Sequence, residues 1–297
     1  MLVDAASLYF RAFFGVPESV TAPDGMPVNA VRGFLDMNAT LIERRRPARY
    51  VACLDLSWRP AFRAALLPSY KAHRAAPGGG EIIPDRLVPQ IPVLLDALGA
   101  LGLATAGADG FEADDVMATL AARDADPCEI VTGDRDLMAL ADERVRVLYV
   151  GRGVAKLEDL GPDEVQARYG VPAAQYADFA ALRGDPSDGL PGVAGVGPKT
   201  AAVLVTRFGS VEQIVAAALS SDEGFPAGAA AKIRAARDYL SVAPGVVRGR
   251  TDAPLPEIDD TLPSAPADPA ALVELADRYG IDSSINRVLN AIARSVG

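Results

Sequence analysis

Through the first half of the chain, short β-branched runs alternate with stretches of helical period, and several of the runs end on a carboxylate. Residues 2–4, 49–55, 103–106, 128–132 and 145–150 read as strands, and 28–45, 84–101 and 113–123 as helices with apolar residues three and four apart. Strand and helix in strict alternation predict an α/β fold, a mostly parallel central sheet with helices on both faces. In such a sheet the strand ends deliver their side chains to one shared edge.

The pattern changes near residue 162. From there to about 240 no run reads as a strand, and short helical stretches are punctuated by Gly and by Pro162, Pro172 and Pro198 at early-helix positions. Residues 251–269 carry five prolines and read as an extended connector, followed by two amphipathic helices near 270–279 and 283–294. The expected organisation is an acidic metal-site α/β unit over 1–160, a helical subdomain over 161–245, and a connector with C-terminal helices over 246–297 that pack back on the sheet.

Nine acids fall in five clusters: Asp4; Asp55; Glu112, Asp114 and Asp115; Asp134 and Asp136; Asp185 and Asp188. Asp4 and Asp55 end predicted strands, and Asp134 follows one after a single glycine. Glu112 and Asp115 are three apart at a helix start and share a face, with Asp114 beside them. Any one cluster alone could be a helix cap or solvated surface. Together, crowded carboxylates need a cation to stay ionised. Oxygen ligands without His or Cys select hard ions such as Mg²⁺ or Mn²⁺, two or more of which would suit phosphodiester hydrolysis.

Composition removes other chemistries. His73 is the only histidine, which excludes His-based nucleophilic triads and His-rich metal sites. Cys53 and Cys128 are isolated and form neither a disulfide framework nor a zinc site, so a reducing cytoplasm is expected, with no leader visible ahead of the first strand. The most apolar stretch, 91–108, is broken by Asp96 and three glycines and is no membrane span. The net charge of −10 is unusual for a nucleic-acid binder. Nine of the 39 acids lie in the clusters, however, and two divalent ions would offset four of those charges.

Residues 190–202, reading LPGVAGVGPKTAA, match a helix-hairpin-helix within an expected span of 190–205. Gly192, Gly195 and Gly197 let the backbone approach a phosphate, while Lys199, Thr200 and the free amides of the next helix face it. Such a device holds DNA by its backbone without reading bases. A tight turn between packed helices is the competing reading. Only four lysines occur against twenty-five arginines, and Lys71 and Lys199 both fall in motifs. Tyr70, Lys71 and Arg74 precede AAPGGG, a segment over 75–83 that could close over a strand end.

With these motifs in order, the chain resembles the 5′-nuclease family, that is, bacterial flap endonucleases and the N-terminal nuclease domain of bacterial DNA polymerase I, whose fold is PIN-like. The shared runs are LVDAASLYFRAFF at 2–14, SYKAHR at 69–74, FEADDV at 111–116, TGDRDL at 132–137 and RGDPSDGLPGVAGVGPKTA at 183–201. The likeness extends over about residues 1–255. It implies that all nine acids occupy metal-site positions, with Asp4, Asp55, Asp114, Asp115, Asp134 and Asp136 binding directly. It further implies that Lys71 and Arg74 engage the scissile phosphate and that a terminal base stacks on Tyr70. Carbonyls of Pro191, Val193 and Val196 are implied as a potassium site.

The chain departs from the family pattern at Ala5 for Gly, His73 for Asn, Arg135 for Lys and Gly189 for Asn. The implied activity is 5′-3′ exonuclease and flap endonuclease action on DNA with 5′ flaps, nicks, gaps or free 5′ ends, by a stand-alone cytoplasmic monomer associated with the nucleoid. The alternatives are a PIN-like ribonuclease and a non-catalytic binder of branched DNA.

Overall fold

In the computed structural model, which describes residues 1–220 and 224–296, six strands form one sheet. They are β1 (Leu2–Asp4), β2 (Val51–Cys53), β3 (Ala104–Ala106), β4 (Cys128–Thr132), β5 (Val145–Tyr149) and β6 (Glu158–Leu160). The spatial order is β3-β2-β1-β4-β5-β6, parallel throughout except for the antiparallel β6. The expected second and third units include residues 221–223 and 297, which lie outside the described residues.

Alternation along the strands separates two cores. Val3, Ala52, Val131 and Leu148 face α1 (Ala5–Gly15), α2 (Asn29–Arg45) and α4 (Gln90–Leu101), while Leu2, Val51, Cys53 and Ile130 face α5 (Ala113–Arg123). This period of two is the direct consequence of pleating. Between β2 and α4 lies the short α3 (Ala61–Leu66).

From Pro162 the chain is helical: α6 (Pro162–Tyr169), α7 (Tyr176–Arg183), α8 (Pro198–Phe208), α9 (Val211–Leu219), α10 (Ala229–Ala235), α11 (Arg237–Leu240) and α12 (Ala243–Val247). Their apolar faces build a third core that reaches the sheet through Met138, Val147 and Leu160. Residues 251–268 cross the molecule without regular helix, burying Ala253 and Leu255 against α5. Then α13 (Pro269–Tyr279) and α14 (Asp282–Val296) return to the first core, with Ile285, Val288 and Ile292 buried there.

Three elements of the sheet half were not expected: β6, α1 and the six-residue α3. β6 is a three-residue edge strand with two acids, too short and polar to show an alternation. α1 begins directly after Asp4, whose side chain accepts from Ser7 N at 2.9 Å and so caps the helix. The aromatic run Tyr9, Phe10, Phe13 and Phe14 obscures its helical period. The helix predicted from residue 84 begins at Gln90, because Pro84 and Pro89 hold the preceding stretch in turns.

Candidate metal and phosphate cleft

The parallel strands β1, β2 and β4 all end at the same edge, and a cleft of about 260 Å³ opens there. Its walls carry Asp4, Asp55, Glu112, Asp114 and Asp134, with Lys71, Arg74 and Glu81 opposite. A larger hollow of about 730 Å³ lies at the other end of β1 and β4, beside Met1, Leu2 and Cys128. Its Arg45 and Arg49 are already paired, with Glu129 and Asp159 and with Asp124 and Asp260. The unbalanced charge sits at the acidic cleft, which is therefore the candidate site.

Local structure explains each position. Thr132 Oγ1 at the end of β4 donates to Asp4 Oδ2 at 2.8 Å and accepts from Asp134 N at 2.9 Å, locking the ends of β1 and β4 together. Asp134 Oδ1 in turn accepts from Asp136 N at 2.8 Å. Asp55, two residues beyond β2, accepts from Ala113 N at 2.6 Å, so its charge sits at the positive end of α5. Asp114 is in the first turn of α5 and half-buried on the cleft wall.

The electrostatics bear the mark of crowding. Loss of hydration, then the charges of Asp134 and Asp4, push the Asp114 carboxyl well above the usual carboxylate range. Asp55 is raised by the same loss of hydration and by Asp4. Asp4 is raised by burial first, with the Ser7 and Thr132 hydrogen bonds opposing and Asp134 adding to it. Burial draws the Lys71 ammonium down, but Glu112, Tyr70, Asp188 and Asp114 together outweigh it and leave the group raised well above its ordinary value. Lys71 is thus a cation on the cleft wall, and not a base.

A second flank continues from Asp134. Asp136 is pushed well up by burial and by Asp134, Asp188 and Asp185, and its Oδ1 is buried without a hydrogen-bond partner. Asp188, raised to about 6 mainly by burial, accepts from Arg74 Nη2 at 2.9 Å. Asp185 is held by Arg135 at 3.0 Å, Arg183 at 3.2 Å and Ser187 N at 3.0 Å. This loop is pinned to the segment carrying Lys71: Lys71 N donates to Asp188 O at 2.9 Å and Ser69 Oγ to Gly189 O at 2.8 Å. Gly189 has φ +74°, and a Cβ there would collide with the Ser69 carbonyl. Glycine in place of the family's Asn is what permits the close approach.

Three carry-overs from the resemblance need correction. Asp115 is 0% exposed, and its oxygens accept from Arg63 Nη1 and Nη2 at 2.7 Å each, Arg250 N at 2.8 Å and Glu112 N at 3.1 Å. Four donors leave it no direction free for a metal. Glu112 lines the cleft, but its oxygens are taken by Arg63 at 2.7 Å, by Tyr70 OH and by Lys71. Tyr70 is only 4% exposed, its ring packed in the helical core, so it offers no open face for a terminal base.

The hairpin folds as a unit. Val193 and Val196 are buried anchors, and Val193 N donates to Leu182 O and Val196 N to Val193 O, both at 2.9 Å. Gly192, with φ +66°, lies so close to Arg183 and Gly184 that a Cβ would stand 2.6 Å from the Arg183 carbonyl oxygen. Pro191, Gly195, Gly197 and Lys199 are exposed and Thr200 half-buried. The first bond of α8 is Ala201 N to Gly197 O, so the amides of Lys199 and Thr200 precede its ladder. Lys232 Nζ, unforeseen from the sequence, donates to Gly195 O at 2.9 Å.

Arg11 also escaped the sequence reading. It lies one turn beyond Ser7 on α1, in an open hollow with Ser7, Phe10 and Phe14, and its Nε is buried without an acceptor. Ser7 and Phe10 line this hollow and the acidic cleft alike. The available signal was a lone basic residue on an otherwise apolar and aromatic helix.

Comparison with known proteins places this geometry. The 5′-3′ exonuclease N-terminal resolvase-like domain matches residues 1–170, and the 5′-3′ exonuclease C-terminal SAM fold matches residues 171–270. The chain is 54% identical to a 5′-3′ exonuclease of Mycobacterium tuberculosis, over 98% of this chain and 97% of that one. It is 51% identical to a 5′-3′ exonuclease of Streptomyces coelicolor, over 98% and 99%. In fold it is similar to the flap endonuclease of bacteriophage T5 solved with DNA and metal ions, with a TM-score of 0.64 at 18% identity over 98% of each chain. The two family models together span residues 1–270, and this chain belongs to the 5′-3′ exonuclease family.

Proposed function

We propose that this chain is a structure-specific nuclease that hydrolyses DNA phosphodiesters at 5′ ends and flaps using divalent metal, in replication and repair. The observation that carries the reading is the convergence of Asp4, Asp55, Asp114 and Asp134 with Lys71 on one cleft. Two full-length relatives named 5′-3′ exonuclease support it.

The donor set fits Mg²⁺ or Mn²⁺. Among the described residues no three carboxylates close on one point, and they stand along an open cleft. Mg²⁺ suits this arrangement, since it binds through one or two carboxylates and keeps waters and substrate phosphate in its remaining positions. Asp4, Asp55, Asp114 and Asp134 would hold the ions, with Asp136 offering a buried oxygen that has no other partner. When bound, such ions acidify a water and stabilise the leaving oxygen of a phosphodiester.

The remaining work belongs to the protein. Lys71, kept protonated by Glu112 and the other acidic groups around it, offers N–H donors to a non-bridging phosphate oxygen. Arg74 spans from the cleft wall to the Asp188 loop and holds that acidic flank in place. Arg11 forms no ion pair among the described residues, and its guanidinium lies at the hollow that shares Ser7 and Phe10 with the cleft, where a strand phosphate is a partner of the right charge. Arg11→Met should therefore lower kcat/KM on a flap substrate about 10- to 100-fold, the worth of one hydrogen bond to a charged group. Steady-state kinetics on an end-labelled flap decides it, and an unchanged value removes Arg11 from the site.

The hairpin would hold duplex by its backbone. Lys199→Ala should weaken duplex binding and reduce the slope of log affinity against log salt by about one, leaving Mn²⁺ affinity unchanged. A salt titration by fluorescence anisotropy measures this, and an unaltered slope contradicts the role. The reading extends to a potassium ion on the carbonyls of Pro191, Val193 and Val196, beside the Gly195 carbonyl already capped by Lys232. It also includes a cytoplasmic monomer, for which the two unpaired cysteines are in keeping. The defining test is cleavage of matched flap, nicked and gapped DNA, and of the same flap in RNA, with Mg²⁺ or Mn²⁺. Equal or faster turnover of RNA favours the ribonuclease reading, and no turnover of any substrate the non-catalytic one.

A further inference from the structure

Arg63, in the middle of α3, has no role in the cleft as described, yet it is 2% exposed and every one of its N–H groups is used. Nε donates to Val246 O at 2.8 Å; Nη1 donates to Glu112 Oε2 and Asp115 Oδ2, both at 2.7 Å; Nη2 donates to Asp115 Oδ1 at 2.7 Å and Arg248 O at 3.3 Å. One guanidinium thereby joins α3, the first turn of α5 and the chain returning from the helical half. Arg250 N, also on that return, closes the loop on Asp115 at 2.8 Å.

What lies on the far side of this tie is the cleft. Asp114 stands between Glu112 and Asp115, both of which Arg63 grips, so the direction of its carboxylate follows from where that turn is held. Glu112 receives Lys71 on its other oxygen and Tyr70 OH at 2.9 Å, so the cation on the cleft wall is seated through the same carboxylate. A planar fork with five fixed donors can hold two carboxylates and two carbonyls at once, whereas an ammonium with three donors cannot.

We propose that Arg63 is a positioning residue for the acidic cleft: it aims Asp114 and, through Glu112, Lys71, and it locks both to the segment leaving the hairpin subdomain. The proposal rests on the nuclease reading of that cleft. Groups that orient ligands from behind cost roughly 10- to 100-fold in metal affinity or activity when altered. Their loss appears in turnover more than in binding of the remote duplex.

The test compares wild type, Arg63→Lys and, because a buried replacement can fail to fold, Asp115→Asn, which keeps the volume but breaks the two-pronged pairing. Each is measured for kcat and KM on a 5′-flap DNA, for Mn²⁺ affinity by calorimetry without DNA, and for duplex binding without divalent ions. Folded Arg63→Lys should show kcat about 10- to 100-fold lower, KM within about twofold, weaker Mn²⁺ binding and unaltered duplex binding. Should Arg63→Lys not fold, the same split in Asp115→Asn supports the proposal.

A folded variant that melts earlier but keeps wild-type kcat and Mn²⁺ affinity overturns it and leaves Arg63 purely structural. A wild type that binds Mn²⁺ without cleaving DNA refutes the nuclease reading alone, and the calorimetric comparison still decides for Arg63. Wild type that neither binds Mn²⁺ nor cleaves ends both.

Discussion

Asp114→Asn and Asp134→Asn will each lower cleavage of a 5′-flap substrate by about a thousandfold or more while leaving the fold and metal-free duplex binding intact. The size follows from removing a charged oxygen ligand from an ion that would lower the barrier by several kcal/mol, at about 1.4 kcal/mol per decade. The fold is spared for an electrostatic reason. Asp114 is held well above the usual carboxylate range by burial and by Asp134 and Asp4, so above its unfolded pKa the ionised form opposes folding. Removing that charge relieves repulsion, and in metal-free buffer the Asp114 variant should melt no lower than wild type. The increment in Tm that Mn²⁺ confers on wild type should shrink in both variants, because a ligand that binds only the native state stabilises it by mass action. Single-turnover cleavage with paired melting curves measures all of this, and wild-type cleavage rates in either variant would falsify the assignment of the cleft.

One residue further along, the expected effect has another character. Asp115→Ala should destabilise the protein by about 3–5 kcal/mol, the usual result of removing one partner of a buried ion pair and leaving the other charge uncompensated. Arg63 would keep only Glu112 and two carbonyls, and the amides of Glu112 and Arg250 would lose their acceptor. Urea denaturation would show a lower midpoint with an unchanged slope. Neighbouring aspartates therefore separate cleanly: position 114 governs turnover with stability kept, and position 115 governs stability first, its effect on turnover following from the shifted turn. An Asp115→Ala protein as stable as wild type would show that the tie to Arg63 carries no net energy.

The nine clustered acids show how far local pattern reaches. Asp4 and Asp134 could be placed at one edge because a parallel sheet sends all its strand ends the same way, and β1 and β4 are indeed neighbours. The hairpin was readable because its glycines serve contacts between residues close in the chain, such as Gly192 against Arg183 and Gly184. The spatial order of the strands was not, since it depends on crossovers and not on any strand's own residues. Nor was β6, where three residues carry too little pattern.

The helix start also misled, where Glu112, Asp114 and Asp115 were all expected at metal-site positions and Asp115 as a direct ligand. Which of them faces the cleft is set by Arg63, more than forty residues earlier in the chain and brought there only when α3, α5 and the return from α12 pack together. Tyr70 was misjudged for the same reason, since an aromatic beside two cations looks available until a core closes over it. Period, turn chemistry and motif order are properties of neighbouring residues, and they were enough for β1 to β5, for α2, α4, α5, α13 and α14, for the acidic edge and for the hairpin. The orientation and charge state of each carboxylate depend on partners far away in the chain and on how much water packing excludes, and these exist only once the layers have assembled.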